Sequence, residues 1–201
     1  MSTYMNKQQI RKQVLAMRDN LSPEERERGN VLLTERICGH QWFYRSGIIL
    51  AFVSYKSEID TTQIIEEALR LGKQVYVPRV EQAGSEQVCC GETQSELAFY
   101  RIMSMTELTT GYKGRPEPAA TEKERYLYDP EEAEQSLMLM PGAVFDKMRN
   151  RIGYGKGFYD RFLADKENLQ LRTIGVGYAC QLVEELPSEA WDIKPYQVIC
   201  V

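Results

Sequence analysis

Residues 141–163, PGAVFDKMRNRIGYGKGFYDRFL, crowd together the groups best suited to chemistry. Gly153, Gly155 and Gly157 alternate with Tyr154 and Lys156; Arg151 stands just before them and Asp160 just after. Glycines let a ligand approach the backbone closely. The amides of such a loop, with the start of the helix predicted from about Phe158, form an anion site. Lys156 adds a mobile charge at its centre, and Arg151 a planar guanidinium at its edge. The spacing is not a Walker A loop, because G-x-x-x-x-G-K-[ST] does not occur. Nor is it the dinucleotide fingerprint, because Phe158 stands where G-x-G-x-x-G needs its last glycine. The residues alone point to phosphate. The plain alternative is a tight strand-to-helix turn whose glycines only relieve crowding, and the company of Arg151, Lys156 and Asp160 argues against it.

Asp160 falls in the first turn of the predicted helix, where the macrodipole favours a carboxylate. It is also a candidate Mg²⁺ ligand, since Mg²⁺ commonly takes one or two carboxylates plus phosphate oxygens. Asp192, in the stretch AWDI, is a candidate second carboxylate, with an ordinary turn residue as its plain reading. The only histidine is His40, so a catalytic triad or a histidine-rich metal site would have to pass through it. It reads as a helix-end or surface residue. Phosphoryl or metal chemistry run by Asp, Lys and Arg stays open.

The elements that must position these residues fit one domain, 1–201, with a real core. Hydrophobic residues make up 43% and charged residues 27% of the chain, the balance of a soluble globular protein. A net charge of −4 supplies no overall basic field for nucleic acid. No apolar run approaches the roughly 18–20 residues of a membrane span, and Met1–Leu15 lacks the apolar core of a signal peptide. Cys38, Cys89, Cys90, Cys180 and Cys200 are odd in number and scattered, which argues against a disulfide framework or a structural zinc site. A cytoplasmic address, and neither nucleic-acid nor membrane partners, is expected.

Ile10, Val14 and Met17 mark a first helix over Lys7–Met17. Ser22, Pro23 and Glu25 predict a capping box and a second helix to about Cys38. Gly47–Val53 reads as a buried strand. Asp60 or Thr61 then caps a third helix with Ile64, Ile65, Ala68 and Leu69 on its apolar face. Gln74–Pro78 follows as a strand, completing a βαβ unit with parallel pairing. Gln87–Cys90 and Leu97–Met103 are candidate short strands, and 111–129 reads as a long surface excursion. Ser136–Met140, Thr173–Tyr178 and Gln197–Val201 supply further strands. The expected fold is α/β, a single-domain open, mostly parallel sheet with helices on both faces. Ligands of such sheets sit beyond the carboxyl ends of the strands.

The motif P-G-x-x-F-D followed by N-R-I-G-Y-G-K-G-F-Y-D-R resembles the signature of the 5-formyltetrahydrofolate cyclo-ligase family. Weaker matches occur in the right order: K-x-x-I-R at Lys7–Arg11, SYKSEIDT at Ser54–Thr61, Val77-Pro78-Arg79, Gln181-Leu182-Val183, Pro187 and Asp192. The resemblance implies a Rossmann-like fold of the sugar-phosphate-isomerase and CoA-transferase kind. It also implies ATP-dependent closure of 5-formyltetrahydrofolate to 5,10-methenyltetrahydrofolate. Lys7 and Arg11, four apart and so on one helical face, are implied to clamp ATP phosphates. Arg151, Ile152, Gly153, Tyr154, Gly155, Lys156, Gly157, Phe158 and Tyr159 are implied to cradle the nucleotide. Lys156 and Arg151 would be catalytic, and Asp160 and Asp192 would hold Mg²⁺. Glu58 and Val53 are implied for the folate site, bordered by Tyr154 through Phe158. One departure stands out: the family commonly has glycine where this chain has Arg149. A monomer or weak homodimer acting on small molecules is expected. The alternatives are a phosphosugar isomerase-like enzyme, which would need no nucleotide, and a non-catalytic nucleotide- or folate-binding protein.

Overall fold

A computed structural model describes residues 6–82, 95–119 and 124–201. The candidate strand Gln87–Cys90 lies outside them. Helices α1 (Lys7–Asp19) and α2 (Pro23–Cys38) both start with a capping box, Asn6 with Gln9 and Ser22 with Glu25. The second is the one that Ser22-Pro23-Glu24-Glu25 predicts. Sequence periodicity does not predict the short α3 (Gln41–Arg45), which His40 caps by accepting the Trp42 N–H on Nδ1 at 3.1 Å. Strand β1 (Ile48–Leu50) is shorter than Gly47–Val53. After the Ala51 N–H bonds the Tyr76 carbonyl, the chain leaves the ladder, and Phe52 and Val53 stay buried off its end. Helix α4 (Thr62–Arg70) follows. Thr61 makes no side-chain cap; Asp60 Oδ1 accepts the Thr62 N–H at 2.9 Å instead.

Strand β2 (Gln74–Gln82) runs beyond the predicted Pro78, because β3 (Ser95–Ile102) pairs with it antiparallel from Val75 to Gln82. Strands β4 (Leu108–Thr110) and β5 (Pro116–Pro118) form an antiparallel ribbon. Then come α5 (Pro130–Ala133), β6 (Ser136–Pro141), β7 (Val144–Asp146), β8 (Arg151–Ile152), α6 (Phe158–Leu163), α7 (Glu167–Gln170), β9 (Thr173–Gly177), β10 (Leu182–Val183) and β11 (Gln197–Cys200). The main sheet has the order β11-β9-β6-β1-β2-β3 and is parallel except for β3.

Alternating residues of the strands feed two cores. Ile49, Val75, Leu137 and Ile174 pack under α2 and α4, whereas Leu50, Tyr76, Met138 and Met140 pack under α6 and α7. Burial on both faces is why these strands read as unbroken apolar runs. The chain enters the sheet in the middle, lays β2 and β3 on one side of β1, and lays β6, β9 and β11 on the other. The gap between β1 and β6 is therefore the topological switch point, where open α/β sheets bind ligands.

One expectation is corrected near the site. The glycine loop does not leave β6 directly. A hairpin of β7 and β8 intervenes and, with β10, forms a three-stranded sheet. Val144 and Ile152 of the hairpin pack on Val14 of α1 and Leu186. Asp146 closes the turn, accepting from the Asn150 backbone N–H (2.7 Å) and Asn150 Nδ2 (2.6 Å). Within this turn Arg149 has φ 65°, a left-handed conformation that glycine adopts freely. Its guanidinium donates to the Tyr196 carbonyl at 2.7 Å and lies over that ring.

Candidate active site

Two spaces flank the glycine loop. On one side is a cavity of about 220 Å³ at the carboxyl ends of β1 and β6 and beside the outer half of β2, with Phe52, Val53, Pro78 and Pro141 among its walls. On the other is an open groove of about 460 Å³ between the loop, α1 and the 189–192 turn. Arg151, Gly153, Gly157 and Asp160 face both. The loop thus separates the two spaces, with these four residues lining both.

The groove gathers Lys7, Arg11, Ile152, Gly155, Asp160 and Asp192, residues scattered over nearly the whole sequence. Helix α1 brings Lys7 and Arg11 on one face. Arg11 Nη1 reaches the Gly153 carbonyl at 3.4 Å. Lys7 Nζ donates to Asp192 Oδ2 (2.5 Å) and Glu189 Oε2 (2.7 Å). Burial opposes the Lys7 charge, but hydrogen bonds and charges from Asp192 and Glu189 outweigh it and hold its pKa above the usual value. Arg151 is buried and donates through Nη2 to Asp160 Oδ1 at 2.8 Å and through Nη1 to the Pro141 carbonyl at 3.3 Å. Its Nε is buried without a hydrogen-bond partner. Asp160 Oδ1 also accepts the Ile193 N–H at 3.2 Å. Helix α6 has only six residues, so positive charge in the groove comes from Lys7, Arg11, Arg151 and Arg161 rather than from a long helix dipole.

Asp160 and Asp192 share this groove. Each has one carboxylate oxygen engaged by protein donors. Among the described residues no group of three or more His, Cys, Asp or Glu gathers to hold a metal. Two hard oxygen donors beside this groove suit Mg²⁺, which keeps waters and substrate oxygens rather than an all-protein cage.

The cavity is lined by Val53, Tyr154, Lys156, Phe158 and Tyr159. Lys156 is exposed at the crest of the loop. Burial first, and then the Glu58 carboxylate, push the phenols of Tyr154 and Tyr159 above their ordinary pKa, so both keep their protons. Glu58 itself is buried behind this wall rather than lining the cavity.

Several contributing residues escape sequence reading. Arg18 is buried and donates to the Tyr154 hydroxyl at 2.7 Å and to Ser57 Oγ at 3.1 Å. Its signal was present: it follows Arg11 by seven residues, two helical turns on the same face. Arg115 faces the cavity and forks onto Glu58. Nothing local announces it, because its partner is 57 residues away. The 111–129 excursion is corrected accordingly: Tyr112, Lys113, Arg115 and Glu117 form one wall of the cavity. Gln181 pins the end of β6, donating to the Gly142 carbonyl at 2.7 Å and accepting the Tyr178 N–H at 3.0 Å. Among the described residues no helix is long and apolar enough to cross a membrane. Cys38, Cys180 and Cys200 are free.

Comparison with known proteins bears on this geometry. The profile of the 5-formyltetrahydrofolate cyclo-ligase family matches residues 3–201. The 5-formyltetrahydrofolate cyclo-ligase of Haemophilus influenzae is 28% identical over 193 residues, covering 96% of each chain. The solved structure of Aquifex aeolicus 5,10-methenyltetrahydrofolate synthetase superposes with a TM-score of 0.74 at 34% identity, over 95% of this chain and 87% of that one. A Mycoplasma pneumoniae synthetase shares the fold with a TM-score of 0.68 at 22% identity, over 97% of this chain and 98% of that one.

Proposed function

The chain belongs to the 5-formyltetrahydrofolate cyclo-ligase family, and from that premise we propose how its site carries out the ATP-dependent conversion of 5-formyltetrahydrofolate to 5,10-methenyltetrahydrofolate. The observation that carries the reading is the partition: a groove lined by Lys7, Arg11, Arg151 and Arg161 beside Asp160, Glu189 and Asp192, and a cavity of mixed lining, share Arg151, Gly153, Gly157 and Asp160. A triphosphate in the groove and a formylated ring in the cavity would touch only there.

In this reading residues 1–201 act as one catalytic domain. Lys7 and Arg11 hold the phosphates from α1, and the loop from Arg151 to Tyr159 wraps them. Val53 and the stretch from Tyr154 to Phe158 border the folate, and Glu58 accepts its ring N–H donors. The formyl oxygen attacks the γ-phosphorus and ADP leaves, giving a phosphorylated imidate-like intermediate. N10 then attacks the activated carbon and gives up its proton to solvent, and the C–O bond breaks, releasing inorganic phosphate and leaving the methenyl bridge. Phosphorylation converts a poor leaving oxygen into a good one, which is why ATP is spent. Lys156 and Arg151 neutralise the charge that develops on the transferring group, and the walls align the two reactants. Asp160 and Asp192 would hold Mg²⁺, which when bound supplies further charge neutralisation to the triphosphate.

The deciding experiment is an absorbance assay for the methenyl product. The signal is expected to grow only when 5-formyltetrahydrofolate, ATP and Mg²⁺ are all present. Absence of product from well-folded protein under those conditions refutes the reading.

A further inference from the structure

Glu58 is the acceptor that the proposed reading assigns to the ring, yet the group that faces the cavity is Arg115. The Glu58 side chain is only 4% exposed, against 33% for Arg115. Glu58 Oε2 accepts from the Tyr55 N–H at 3.0 Å and from Arg115 Nη1 at 3.3 Å, and Oε1 accepts from Arg115 Nη2 at 3.1 Å. The guanidinium lies 5.1 Å from the Tyr55 ring centroid and 5.6 Å from that of Tyr154. A planar cation forked onto a carboxylate and packed against two rings is a fixed wall, not a loose surface charge.

Without Arg115, Glu58 would be a buried carboxylate left with the Tyr55 N–H and the Tyr154 hydroxyl but no cation, and such unpaired charges are strongly disfavoured. A ligand can therefore reach Glu58 only if it supplies the donors that Arg115 withdraws. The ring of the proposed substrate can do so. Its N3–H and 2-amino group, joined through C2, form a cyclic guanidine whose two N–H donors match a carboxylate as a guanidinium fork does. The exchange is donor for donor, and the released Arg115 has water on its exposed side.

We propose that Arg115 is a specificity-determining residue, holding on Glu58 the place of the ring's guanidine-like edge so that only ligands with two adjacent N–H donors displace it. The inference rests on the reading of Glu58 as ring acceptor. A ring without the 2-amino group offers one donor too few and leaves a buried acceptor short, a defect that sites discriminate against sharply.

Replacing the competitor tests the idea. Arg115→Met keeps an apolar stem against Tyr55 and Tyr154 but abolishes the fork. KM for 5-formyltetrahydrofolate is expected to fall at least tenfold, with kcat changing less than KM. In Arg115→Ala, millimolar methylguanidinium is expected to refill the fork and raise KM again, competitively with folate, while leaving the wild type unaffected. A raised KM in Arg115→Met, or no effect of methylguanidinium, overturns the proposal. If neither variant folds, a crystal structure of the wild type with bound 5-formyltetrahydrofolate decides: the ring on Glu58 with Arg115 displaced supports it, and Arg115 still forked on Glu58 refutes it. Failure of the wild type to turn over 5-formyltetrahydrofolate would instead be the failure of the functional reading.

Discussion

Lys156 and Asp160 sit four positions apart and do opposite things with charge. Lys156 is exposed and faces the cavity, and in the proposed reading its ammonium follows the moving phosphoryl group. Removal of one preorganised charge donor from a transition state commonly costs about 2.7–4 kcal/mol. Lys156→Ala is therefore expected to lower kcat by roughly 10²–10³-fold while leaving thermal stability nearly unchanged, since the side chain is exposed; near-normal turnover would remove it from catalysis. Asp160 is held by Arg151 and by the Ile193 N–H through one oxygen. Asp160→Asn keeps that acceptor but loses the negative charge. The Mg²⁺ concentration giving half-maximal rate is expected to rise about tenfold or more, equivalent to roughly 1.4 kcal/mol. An unchanged Mg²⁺ titration would take Asp160 out of the metal site.

At the scale of elements, the glycine loop is a partition held from both ends. The β7–β8 hairpin fixes its start, and α6 begins immediately after Gly157, which has φ 62°. Gly155 has φ 91°, and a Cβ there would come within 3.1 Å of Arg11 Nη1. A left-handed conformation costs an L-residue about 1–2 kcal/mol. Gly157→Ala should consequently lower the melting temperature by a few degrees, given about 2–4 °C per kcal/mol in a chain of this size. Differential scanning calorimetry checks it, and an unshifted transition would mean that the loop relaxes without strain. At Arg149 the same backbone demand falls on a non-glycine residue, and contacts with Tyr196 offset it.

Across the whole molecule, the groove exists only because chain regions far apart in sequence are tied together. Lys7 joins α1 to Asp192, 185 residues away. Its folded pKa lies above 10.5, its ordinary value. A raised pKa means that this contribution to stability is fully present below about pH 10.5 and is lost as pH rises through the higher folded value. Thermal melts from pH 9 upward should therefore show a decline in the wild type that is smaller in Lys7→Met. Parallel declines would show that the tie adds nothing to the fold. Because the pair is partly exposed, the difference should be modest and should shrink in high salt.

The sequence by itself determined the helices with strong caps, the buried strands and the glycine-lysine loop, because these depend on local chemistry: Ser22 and Glu25 cap through neighbours three residues apart, and apolar runs announce burial on both faces. It also carried the family resemblance, which implied Lys7, Arg11, Asp160 and Asp192 for the nucleotide and its metal and Glu58 for the folate. Only the tertiary structure decided that Lys7, Arg11, Asp160 and Asp192 share one groove, that the 111–118 segment walls the cavity, and that Glu58 is covered by Arg115. Ion pairs between residues 57 or 185 positions apart leave no periodic or compositional trace. They arise from where the switch point between β1 and β6 brings the chain, and that is a property of the folded sheet rather than of any stretch of sequence.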